Sequence, residues 1–76
     1  MNARGAYRLA HTRGGAAPAL LADPDRIDKV EVVDIATGEV TLFWEGPPRE
    51  AARLARALRR DLERLSAEEF AAAWLG

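Results

Sequence analysis

The chain contains no cysteine and a single histidine, His11. Without cysteine it forms neither disulfides nor thiolate metal sites, and one histidine excludes a histidine-rich zinc cluster. It also lacks any apolar run near the roughly 20 residues that cross a bilayer. Its first residues have no apolar stretch like the core of a signal peptide. We therefore expect a cytoplasmic protein that needs no metal and no cofactor.

The chain is short, and its large apolar side chains are few. It has 76 residues, of which 49% are hydrophobic, but sixteen of these are alanine. One domain of this length, covering residues 1–76, lies near the lower limit of what folds without disulfides or metals. Because a monomer would bury little apolar surface, we expect a homodimer that buries more.

Charge is nearly balanced overall but uneven along the chain. The formal net charge is −1, and ten arginines stand against one lysine. Residues 23–46 sum to −5 and residues 47–65 to +3. This asymmetry favours internal pairing of opposite charges, with docking between subunits as the alternative. The abundance of arginine and alanine is typical of a GC-rich genome, so codon bias is one explanation for the arginines.

The first 26 residues divide into a strand and a loop. Side chains alternate in character over residues 6–12, which predicts a short, half-buried strand. Residues 13–26 contain two glycines and two prolines. They predict a loop that docks Leu20 and Leu21 on the core.

Residues 27–45 predict a β-hairpin. The first half is rich in valine and isoleucine, and Gly38 in the connection can adopt a positive φ. The alternation of the first strand slips near Val32, so that either both faces are partly covered or a bulge shifts the register there.

The second strand of this hairpin alternates cleanly from residue 39 to residue 44. The pattern predicts that Val40, Leu42 and Trp44 share one face, and that Phe43 lies on the other.

Two helices are predicted after the hairpin. Residues 48–65 begin with a proline that the first turn tolerates, and apolar residues recur at helical spacing along one face. Ser66 and Glu69 form the pattern of a capping box, which predicts a second, short helix over residues 67–75.

These elements predict an α+β fold in the order β-β-β-α-α. The simplest way to bury their apolar faces is a three-stranded antiparallel sheet packed on the long amphipathic helix, with the short helix at the C-terminus. The chain has no internal repeat, and no motif in it identifies a family.

Five arginines of the long helix lie within roughly 80° of arc, nearly opposite its apolar stripe. We call them the arginine ridge: Arg49, Arg53, Arg56, Arg60 and Arg64. One interpretation is a binding ridge for nucleic acid or another polyanion. The other is a solvated face whose repulsion is offset by neighbouring acids, with Glu50 beside Arg53, Glu63 beside Arg59 and Arg60, and Asp61 beside Arg64. The low pI of 5.8 favours this interpretation.

No set of residues in the chain predicts catalysis. Asp23, Asp25 and Asp28 lack the glycine and distal glutamate of a calcium loop, so we expect solvated turn acids. His11 is expected to be structural or exposed, and the capping box accounts for Ser66. The prediction is a protein that is not an enzyme.

Three aromatic residues remain as candidates for a protein-binding surface: Phe43, Phe70 and Trp74. Either the C-terminal helix folds back and buries Phe70 and Trp74 in the core, or the uncovered sheet face presents Phe43, together with Trp74, to a partner or a second copy. We expect a small protein-interaction module that self-associates or binds a protein partner through the free sheet face or this helix. Binding of polyanions through the arginine ridge is the alternative.

Overall fold

The computed structural model describes residues 2–14 and 26–76. Its elements are a 3-10 helix (Ala3–Gly5), strands β1 (Tyr7–Thr12), β2 (Asp28–Asp34) and β3 (Val40–Gly46), helices α1 (Pro48–Arg64) and α2 (Ala67–Phe70), and a π-helical segment (Ala71–Leu75). The strands form one antiparallel sheet in the order β1-β2-β3, and α1 lies against all three. The predicted α+β fold is confirmed. Leu20 and Leu21, which the sequence predicts to dock on the core, lie outside the described residues.

A bulge near Val32, one of the two alternatives that the sequence leaves open, is present, but its extra residue lies on β3 and not on β2. The pairing of β2 with β3 shifts between Val32 and Val33, and the extra residue is Thr41, whose hydroxyl donates to the Val32 carbonyl at 2.9 Å. Val33 consequently pairs with Val40. Because directly paired residues share a face, Val40 lies on the side away from Leu42, and it is 50% exposed. The prediction that Val40 shares a face with Leu42 and Trp44 was therefore wrong.

The core lies between the sheet and α1. The helix contributes its apolar stripe, the sheet contributes one face of β2, and the C-terminal helix adds one aromatic ring. The fully or nearly fully buried apolar residues are Ala3, Val30, Val32, Ala51, Ala55, Leu58, Leu62 and Phe70. The helical spacing of the leucines and alanines thus indicates the buried face of α1 correctly.

One backbone hydrogen bond ties the 3-10 helix to the long helix, and one glycine makes room for the Trp44 indole. The backbone N–H of Ala3 donates to the Leu65 carbonyl at 2.7 Å, which ties the 3-10 helix to the end of α1. At the end of β3, the Trp44 indole lies over Gly46, where a Cβ would sit 2.7 Å from the ring. Only glycine leaves room for the indole in this position.

No helix in the described parts of the chain is both long enough and apolar enough to cross a membrane.

Candidate interaction surfaces

One face of the sheet packs against α1, and the other bears no element among residues 2–14 and 26–76. We call the second face the open sheet face. The strand register places on it Arg8, Ala10, Thr12, Lys29, Glu31, Val33, Val40, Phe43 and Glu45. Phe43 is 54% exposed and is the largest apolar side chain among the exposed residues. Its predicted position, opposite Leu42 and Trp44, agrees with the structure.

The open sheet face is electrically balanced. It carries two cations and two carboxylates, and Lys29 pairs directly with Glu45 across β2 and β3. Opposite charges at such positions attract each other, whereas like charges repel. This face therefore has no net charge that would repel a second copy.

The arginine ridge is exposed along its whole length, but its arginines differ in their partners. Arg60 donates to the Asp61 carboxylate at 3.2 Å, and Arg64 lies 3.6 Å from the same oxygen. For Arg49, Arg53 and Arg56, no carboxylate oxygen of residues 2–14 and 26–76 lies within the 4.0 Å of an ion pair. Asp61 thus offsets one of the two charges at the C-terminal end of the ridge. The pairs predicted between Glu50 and Arg53, and between Glu63 and Arg59 or Arg60, are not formed among residues 2–14 and 26–76.

Asp61 also anchors the C-terminal helix. The Trp74 indole N–H donates to its carboxylate at 3.0 Å, and the Asp61 residue is only 8% exposed. The indole hydrogen bond holds the pKa of Asp61 below its ordinary value, and the guanidinium groups of Arg60 and Arg64 act in the same direction against the effect of burial. Sequence reasoning pairs Asp61 with Arg64 but misses Trp74. On the helical wheel, Asp61 falls within roughly 20° of the apolar stripe. This position already indicates that the side chain lies near the core, where it needs a hydrogen-bond partner.

The two aromatic side chains of the C-terminal helix do not form an exposed surface. Phe70 is fully buried, with its ring centroid 5.3 Å from Tyr7 and 6.4 Å from Trp74. Trp74 is half-buried and packs against the core. Phe70 is thus a core residue that no partner can reach. Of the three aromatic candidates, only Phe43 is exposed.

The short helix starts at the predicted capping box. The Ser66 hydroxyl accepts the Glu69 backbone N–H at 3.1 Å, and the Glu69 carboxylate accepts the Ser66 N–H at 2.9 Å. The backbone and side chain of Ser66 hold the pKa of Glu69 below its ordinary value. These bonds show the structural role that the sequence predicts for Ser66.

Asp28 is buried, and the expectation of a solvated turn acid was wrong for it. Only 1% of the residue is exposed, and its carboxylate accepts from the Gly14 backbone N–H at 3.1 Å and from Arg26 at 2.9 Å. His11 lies 3.4 Å from the same group. Burial alone would raise the pKa of Asp28, but these donors outweigh it and the pKa lies below its ordinary value. Asp23 and Asp25 lie outside the described residues.

No family model matches the chain, and neither the curated proteins nor the solved structures include one that is significantly similar to it.

Proposed function

We propose that the protein is a non-enzymatic interaction module that self-associates through its open sheet face. The observation that supports this most strongly is the exposure of Phe43, at 54%, halfway along the edge strand β3 of that face. Exposed aromatic anchors contribute much of the binding energy of protein interfaces. Because Phe43 is more than half exposed, it adds little to the apolar core of the monomer.

A second copy of the chain suits this face better than a charged partner does. Two cations and two carboxylates lie on it, so a two-fold arrangement can set the cations of one copy against the carboxylates of the other. A strongly basic or acidic partner would meet as many repulsive as attractive charges.

The size of the face sets the expected strength of association. Three strands about 4.8 Å apart, with about seven residues each rising 3.3 Å, cover roughly 300 Å² of flat area. A standard interface buries about 800 Å² per partner. We therefore expect weak association, with a dissociation constant on the order of 10 µM or above.

Sedimentation equilibrium over a concentration series tests the proposal. Phe43→Thr keeps a good strand former and should weaken the dimer by at least about tenfold, because two-fold symmetry places the substitution in the interface twice. Ile35→Thr is the matched control, since Ile35 is similarly exposed at 52% but lies in the turn after β2. A wild-type monomer at millimolar concentration, or equal weakening by both variants, would contradict the proposal.

Polyanion binding through the arginine ridge is a second candidate. It is favoured by Arg49, Arg53 and Arg56, which are exposed and have no ion-pair partner among the described residues. A short mixed-sequence DNA duplex should bind at low salt and dissociate as salt rises, because binding releases counterions. Replacing the three arginines with glutamine should abolish this binding. The same substitutions should leave the dimer intact, which separates the two candidates.

A further inference from the structure

Three arginines outside the ridge and on separate elements line one cleft. The cleft has a volume of about 310 Å³ and lies between β1 and the C-terminal half of α1. Arg4 comes from the 3-10 helix, Arg8 from β1 and Arg59 from α1. The spacing along the chain gives no hint of this convergence, because it depends on how α1 crosses the sheet.

The backbone that carries these arginines is well held. The Asn2 side chain accepts the Arg4 N–H at 3.2 Å, and the neighbouring Ala3 is tied to the end of α1. Arg8 lies in a paired strand opposite Val33. Binding groups on such regular elements keep their geometry better than groups on loops do.

The cleft has a net positive charge. Three arginines line it together with a single acidic residue, Glu63, so the formal charge of the lining residues is +2. No carboxylate oxygen of residues 2–14 and 26–76 lies within ion-pair distance of Arg4, Arg8 or Arg59. Like charges brought together repel each other, and an anion between them relieves that repulsion.

The residues that line the cleft indicate an anion that also has an apolar part. Tyr7, Leu9 and Leu62 supply an aromatic and aliphatic surface beside the arginines. The volume lies at the lower end of the range for small-molecule sites, so a compact organic ligand fits and a macromolecule does not. A phosphate monoester carries a charge of about −1.5 to −2 at neutral pH, which balances the charge of the residues that line the cleft. A guanidinium group can donate two parallel hydrogen bonds to two of its phosphate oxygens.

We propose that this cleft binds a small organic phosphate, with its phosphate group on the three arginines and its apolar body against Tyr7 and the leucines. The cleft shares Arg8 with the edge of the open sheet face, whereas Arg4, Arg59 and the apolar walls are not among the residues of that face. Substitution of Arg59 therefore tests the cleft without altering the open sheet face.

An amide-resolved NMR titration with phenyl phosphate, inorganic phosphate and benzoate tests it. Phenyl phosphate should give saturable shifts in residues 4–9 and 59–63, and should bind several-fold more tightly than either other probe. Arg59→Gln should weaken phenyl phosphate binding about tenfold or more, since each lost charge-assisted bond costs about that factor. Arg56 is also exposed but belongs to the arginine ridge, so Arg56→Gln should change phenyl phosphate binding less than about twofold.

Three results would overturn the proposal. The first is the absence of saturable shifts with phenyl phosphate, and the second is equal weakening by Arg59→Gln and Arg56→Gln. The third is binding of benzoate or inorganic phosphate as tight as that of phenyl phosphate, which would show that the cleft does not recognise an organic phosphate as such. The dispersion of the amide spectrum reports in each case whether the variant is folded.

Discussion

Replacing Phe70 with leucine tests the described core. Phe70 is fully buried, and its ring lies beside those of Tyr7 and Trp74, at centroid distances of 5.3 Å and 6.4 Å. Each aromatic pair contributes about 0.5–1.5 kcal/mol beyond the burial of its area. Leucine keeps most of the apolar volume but loses both pairs, so Phe70→Leu should reduce the free energy of unfolding by about 1–3 kcal/mol.

This variant is more informative than the alanine substitution. Phe70→Ala should cost about 3–5 kcal/mol, and a chain of 76 residues has a total stability of about 4–11 kcal/mol at the usual value per residue. The alanine variant is thus close to unfolding. Phe70→Leu stays measurable, and each kcal/mol lost should lower the Tm by about 4–8 °C.

Urea and thermal unfolding followed by circular dichroism give both quantities. Phe43→Leu is the control, because Phe43 is 54% exposed and its replacement should change the stability of the monomer by less than about 0.5 kcal/mol. The measurement is made at low concentration, where the monomer dominates. A Phe70→Leu variant as stable as the wild type, or a larger cost for Phe43→Leu, would refute this description of the core.

Two further predictions concern stability. The pKa of Asp28 in the folded protein lies below its ordinary value. The contribution of its carboxylate to the free energy of unfolding is therefore present above the unfolded pKa of about 3.9 and is lost as the pH falls through the folded pKa. The difference in urea midpoint between wild type and Asp28→Asn should therefore be largest near neutral pH and shrink below about pH 4; a difference independent of pH would contradict this. Gly46→Ala should destabilise the protein, because the new Cβ would lie 2.7 Å from the Trp44 ring, whereas Gly5→Ala has nothing within 4 Å and should be nearly neutral in the same urea assay. Equal stability of the two glycine variants would contradict the placement of the indole.

Local patterns predicted the elements well. The helical spacing of the leucines predicted α1, which begins at Pro48 as expected and ends at Arg64, one residue before the predicted end. The slip in the alternation near Val32 left a bulge as one of two alternatives; the structure contains a bulge there, but its extra residue is Thr41 of β3, and β2 itself alternates regularly with apolar residues on both faces. Periodicity reports directly which face of an element is buried, so such features can be read from a single sequence.

The error for Val40 has a local cause, the extra residue Thr41, and the other errors arise where a distant residue decides the environment. Asp28 looks like one of several turn acids, yet its partners include His11 and Gly14, which lie 17 and 14 residues away. Likewise, the Trp74 indole donates a hydrogen bond to Asp61, which lies 13 residues earlier in the sequence. Spacing places Phe70 and Trp74 on one side of their helix, but it does not say which surface that side meets. The cleft arginines were missed for the same reason, because they converge only in the folded chain.

The central claim is that two copies of this protein meet through the open sheet face. The most direct measurement is an isotope-filtered NOESY spectrum on a mixture of labelled and unlabelled protein, which records only contacts between copies. We predict cross-peaks between the Phe43 ring of one copy and the Val33 and Val40 methyl groups of the other. Intermolecular cross-peaks from Trp74 or the arginine ridge without any from Phe43, or no such cross-peaks at millimolar concentration, would contradict the claim.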